Sequence, residues 1–134
     1  MRLQILCLAL LAAPPAQAET LPPEVRAVLE EAEGSCGAPV TLGDKAVNRP
    51  DLNGDGTPDW LIDTGALSCP GSTTVFCGTA GCGVTTIIDG ARAELLLHDW
   101  GTASDGIMTY LTAPNDRGET VRFYWTGLEW VLMD

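Results

Sequence analysis

From Thr20 to Glu33 apolar residues recur at helical spacing, and after Gly34 that spacing disappears. Val25, Val28, Leu29 and Ala32 fall at i, i+3, i+4 and i+7 and form one stripe, with Glu24, Glu30, Glu31 and Glu33 lying mostly away from it. Pro22 and Pro23 suit a first turn, and Gly34 is expected to end the helix. The following residues carry short β-like runs punctuated by Gly, Pro, Asn and Asp. Strands are expected near Asp59–Asp63, Thr73–Phe76, Val84–Ile88, Glu94–Asp99, Ile107–Leu111, Val121–Trp125 and Glu129–Met133. Asp89-Gly90 and Thr126-Gly127 read as tight hairpin turns. The expected class is therefore α+β: an N-terminal helix packed on a mainly antiparallel sheet.

The first eighteen residues add a different signal. Arg2, an apolar run from Leu3 to Ala13 and the small-x-small ending Ala16-Gln17-Ala18 read as a cleavable export signal over 1–18. The run is shorter than the roughly 20 residues that a membrane-spanning helix needs. Residues 19–134 are expected to form one domain. Cleavage would remove Arg2 and no acid, leaving 6 basic against 18 acidic residues, a net charge of −12. That balance disfavours nucleic acid and anionic membrane surfaces, which attract clustered Lys and Arg, and favours cations.

Outside that segment stand Cys36, Cys69, Cys77 and Cys82. Four cysteines in a small exported chain read as two disulfides, with three connectivities open. Flexible Gly-Thr-Ala-Gly between Cys77 and Cys82 suits a tight ring, which leaves Cys36 with Cys69 to staple helix to sheet. No C-x-x-C pair or neighbouring His supports zinc. Periplasm or the extracellular space is the expected location, the periplasm preferred.

The densest chemistry lies in Asp51-Leu52-Asn53-Gly54-Asp55-Gly56-Thr57-Pro58-Asp59, where oxygen donors recur at every second position. Calcium takes six to eight oxygens at about 2.3–2.6 Å, and alternate residues of a tightly wound loop can supply them. Asp51, Asn53, Asp55 and Asp59 would coordinate through side chains and Thr57 through its carbonyl. Three carboxylates about 5 Å apart repel by roughly 3 kcal/mol per pair at an effective dielectric near 20, a penalty that a divalent cation removes. Magnesium, which demands near-octahedral geometry and keeps its waters, suits the loop less.

This nine-residue pattern, D-x-N-x-D-G-x-x-D, resembles the calcium loops of FG-GAP and VCBS repeats, dockerins and thrombospondin type 3 repeats. It is also similar to the first half of an EF-hand, but Ile62 stands at the twelfth position and a strand follows. The resemblance implies a calcium ion that fixes structure and does not move a second helix. The wider pattern looks like small exported bacterial proteins of unknown function, and it implies no activity.

Three other features carry sharper chemistry. Asp63-Thr64-Gly65 resembles the motif of aspartic proteases, in which two such aspartates of a dimer share a proton. A turn or supplementary-ligand role for Asp63 is the expected alternative. His98, without a partnered nucleophile, reads as an ordinary strand residue. Trp60, Trp100, Trp125 and Trp130 suit core packing, or a glycan-stacking face. The overall expectation is an exported, non-enzymatic calcium-binding domain with a protein-interaction or inhibitor role; the alternatives are a dimeric protease using Asp63 and a carbohydrate-binding module.

Overall fold

Residues 20–71 and 75–133 are described by the structure, a computed structural model. The helix α1 runs Pro23–Cys36, and its buried residues are the four of the apolar stripe. It ends three residues later than expected. Gly34 lies inside it, and the terminating contact is the Gly37 N–H to the Glu33 carbonyl at 2.9 Å. A glycine inside a helix costs about 1 kcal/mol relative to alanine, less than the packing of the stripe returns.

Eleven strands follow among the described residues: β1 Thr41–Leu42, β2 Val47–Asn48, β3 Trp60–Asp63, β4 Leu67–Ser68, β5 Cys77–Gly78, β6 Gly81–Ile88, β7 Ala91–Leu97, β8 Gly101–Ser104, β9 Thr109–Pro114, β10 Thr120–Trp125 and β11 Trp130–Met133. Every pairing is antiparallel. The class is α+β, mostly β, but the strands do not make one sheet. β6 joins β3 and β5 along one side and β7 along the other, with β2 beyond β3; β8 to β11 form a separate four-stranded meander, and β1 pairs β4 alone.

The five-stranded sheet is buried on both faces, which explains the nearly unbroken apolar run of β6. Ile62 and Ile87 meet α1 on one face. On the other, Leu61, Val84, Ile88 and Leu97 pack with Leu111 and Ala113 of the meander. Trp60 packs against the first core; Trp100, Phe123, Trp125 and Trp130 pack against the second, in keeping with a core role for the tryptophans. Trp130 donates to Thr86 Oγ1 at 2.9 Å, which satisfies a fully buried hydroxyl.

Both expected disulfides form, Cys36–Cys69 and Cys77–Cys82, with Cα separations of 5.5 and 4.0 Å. Such bonds belong to an oxidising compartment. No helix among the described residues is long and apolar enough to cross a membrane. The expected export signal, with Thr73 and Thr74 of an expected strand, lies outside the described residues. The rest of that strand is corrected: Val75 and Phe76 are in a turn, and the strand starts at Cys77.

Three further boundaries shift, two of them where a side chain captures backbone donors. The Asp89-Gly90 hairpin forms as expected, but Thr126-Gly127 belongs to a four-residue loop in which Thr126 Oγ1 accepts from the N–H groups of Leu128 and Glu129. The strand expected to reach Asp99 stops at Leu97, so His98 is not a strand residue. Ile107 is in a turn because Asp105 Oδ1 takes the N–H groups of Ile107 and Met108 at 2.8 and 2.7 Å. Asp105 Oδ2 accepts from the Tyr110 hydroxyl at 2.8 Å.

These bonds, the Met108 N–H foremost, hold the Asp105 carboxyl below the usual carboxylate range. A depressed carboxyl adds stability that is present above about pH 4, its ordinary unfolded value, and is lost as pH falls through the folded value. Asp105→Ala should therefore lower the melting temperature at neutral pH, and the gap from wild type should close in acid. A gap that persists unchanged well below pH 4 would contradict this role.

Candidate metal centre

The loop from Asp51 to Asp59 is tied down at its apolar and backbone positions. Leu52 is fully buried in the second core beside Leu61 and Leu111. The Asp59 N–H donates to the Pro50 carbonyl at 2.8 Å, closing the loop at its base. Arg49 donates to the carbonyls of Pro58 and Asp59, both at 3.0 Å, while its guanidinium stacks on Trp60 at 3.8 Å. Asp59 is thereby delivered to the first position before β3.

Within this frame the acids converge. One oxygen each of Asp51, Asp55 and Asp59 can be chosen so that all lie within 4.8 Å of one another. Asp51 accepts from the N–H groups of Gly54 and Gly56 at 2.8 and 2.9 Å. Asp55 Oδ1 accepts from the Thr57 N–H at 2.8 Å, and Asn53 Nδ2 reaches Asp55 Oδ2 at 3.3 Å. All five expected ligand residues thus belong to one wound turn, with Asp51, Asp55 and Asp59 forming its acidic centre.

Asp59 differs from its neighbours. The residue is 4% exposed, and its Oδ2 accepts the Leu52 N–H at 2.7 Å. Burial raises its pKa above the ordinary value; the Leu52 N–H opposes the shift, and the charges of Asp55, Asp51 and Asp89 reinforce it. A carboxyl raised in this way contributes stability below its unfolded pKa that is lost as pH rises through the folded one. Charging Asp59 therefore carries a cost, and an oxygen-seeking divalent cation has the chemistry to offset it.

Residues outside the expected set prove important here: Leu52 as anchor, Arg49 as carbonyl clamp, Asp89 as a neighbouring charge, and Thr109 beneath Gly54. Only Leu52 carried a signal, being apolar within an otherwise polar loop. Asp63 is not part of this centre. It caps the 3₁₀ turn Thr64–Ala66, accepting from the Gly65 N–H at 2.9 Å, and its other oxygen takes the Trp100 indole N–H at 2.9 Å. His98 and Asp63 line one groove of about 580 Å³, but its cysteine, Cys82, is disulfide-bonded. His98 Nε2 lies 3.2 Å from the Thr79 carbonyl. No family model, curated protein or solved structure matches the chain.

Two glycines make the winding possible, Gly54 at φ +77° and Gly56 at φ +80°. A Cβ on Gly54 would stand 3.0 Å from Thr109 Oγ1, whereas one on Gly56 would meet open space. Gly56→Ala should cost about 1–2 kcal/mol from backbone conformation alone. Gly54→Ala should cost more, by roughly another 1 kcal/mol of crowding, and Thr109→Ala should recover part of that excess. Denaturant unfolding of the three variants and the Gly54→Ala/Thr109→Ala pair decides this; an equal cost at both glycines would contradict the close approach.

Proposed function

We propose that this protein is an exported, non-enzymatic domain whose loop Asp51–Asp59 binds one calcium ion, and that the ion fixes structure for a protein-interaction or inhibitor role. The observation that carries the reading is the convergence of Asp51, Asp55 and Asp59 around a buried carboxylate. Three acids with the Asn53 amide and the Thr57 carbonyl make an all-oxygen donor set, which fits a hard cation that tolerates irregular geometry. Asp51 and Asp55 would bring charge from the exposed side, Asp59 from the buried side, and water would complete the shell.

A structural role is favoured by what the loop joins. Leu52 ends in the second core and Asp59 runs directly into β3, so an ion here would lock two packed elements together. Among the described residues, no α-helix comes after the loop to be displaced. The two disulfides support a location outside the reducing cytoplasm, and the export reading of residues 1–18 supplies the route.

Calcium titration followed by thermal melting tests this. With a Kd near 10⁻⁴ M, typical of extracellular modules, about 1 mM calcium adds about 1.4 kcal/mol, or roughly 5 °C at this size. Asp55→Ala should abolish the gain while leaving a folded protein, because Asp55 is exposed. A melting temperature indifferent to both calcium and chelator would overturn the reading.

A further inference from the structure

β7 closes one side of the five-stranded sheet, and its hairpin register determines which of its backbone groups are already bonded. Ile88 and Ala91 face each other across the Asp89-Gly90 turn, whose φ angles are +49° and +80°. A two-residue turn of this kind is flanked by a pair that exchanges both backbone bonds, so Ala91, Ala93, Leu95 and Leu97 direct theirs to β6. Arg92, Glu94 and Leu96 therefore direct N–H and C=O groups out of the sheet. Among the described residues, no backbone group bonds to them there. Their side chains share the face toward α1, where Arg92 bridges Glu31 and Glu94. An open edge of this length is a template for another extended strand.

We propose that β7 pairs antiparallel with β7 of a second copy of this chain, about a two-fold axis passing at Ala93. Only residues with outward backbone groups can form the bonded pairs of such a junction, which leaves few registers. Placing Glu94 opposite Glu94 opposes like charges. Placing Glu94 opposite Leu96 sends Arg92 against His98, beyond the strand end. The register about Ala93 sets Arg92 opposite Glu94 twice, with Cα atoms about 5.5 Å apart as in any bonded antiparallel pair. Opposite charges in that position stabilise, and like charges destabilise.

The charge order Arg-x-Glu is its own complement when read backwards, which is what a self-complementary two-fold interface requires. The net charge of −11 opposes close approach of two copies but is screened beyond about 8 Å at physiological ionic strength. Two short edges bury less than the roughly 1,200–2,000 Å² of stable complexes, so the dimer is weak and concentration-dependent.

Sedimentation velocity of the wild-type protein in about 0.15 M salt, up to about 1 mM protein, tests this directly. The expected result is a shift from monomer to dimer with concentration. Glu94→Arg and Arg92→Glu should each weaken self-association roughly tenfold by opposing like charges, and an equimolar mixture of the two should regain it. If either reversal unfolds the chain by circular dichroism, Glu94→Pro replaces it: it removes one outward N–H and no internal sheet bond, and it should abolish the dimer. Wild type that stays monomeric throughout, a mixture no tighter than its components, or a dimer that survives Glu94→Pro overturns the proposal and leaves the edge to solvent or to another extended chain.

Discussion

The Leu52 N–H donating to the buried carboxylate of Asp59 at 2.7 Å is the contact on which the centre of this protein depends. It crosses the loop, with Leu52 fixed in the second core and Asp59 leading into β3. Without a bonded partner a buried carboxylate costs several kcal/mol, so this N–H is what lets an acid stand beside the hydrophobic interior. The partial compensation leaves Asp59 with a raised pKa, and Asp51 and Asp55 bring further negative charge toward it. The bond that orders the loop thus offsets only part of the cost of burying a carboxylate beside two other acids.

The strand after the loop carries that order through the molecule. β3 contributes Leu61 to one core and Ile62 to the other, so its position sets both layers at once. β6 lies beside it with the same two-faced burial, and α1 and the meander complete the outer layers. The Cys36–Cys69 bond joins the end of the helix to the segment after β4, closing a 33-residue separation. In the chain-entropy model such a loop contributes roughly 3–4 kcal/mol by restricting the unfolded chain. The disulfide thus adds to the packing of two cores on opposite faces of one sheet.

Much of this was legible in the chain. The apolar stripe of α1, the Asp89-Gly90 turn and the residues of the acidic centre follow from spacing and local chemistry, and the structure forms the expected one of the three cysteine pairings that the sequence left open. The separation of the meander from the five-stranded sheet was not legible, because the apolar run of β6 is compatible with burial on one face or two until its partners are known. Short strands such as β1, β2 and β4 have only two residues each, too few for alternation to register. Strand ends moved where one side chain captured backbone donors, as Asp105 does ahead of β9. Arg49 and Thr109 reach the loop only through the fold, so no local pattern marks them.

Whether the acidic centre is a cation site or only a wound turn can be read optically, because Trp60 directly succeeds Asp59. Terbium takes oxygen-rich calcium sites, and an indole beside a bound lanthanide sensitises its emission. A cation site predicts tryptophan-sensitised terbium luminescence that calcium displaces competitively and that Asp59→Asn strongly reduces. Absence of sensitised emission in the folded protein, or emission that neither calcium nor Asp59→Asn diminishes, would contradict it.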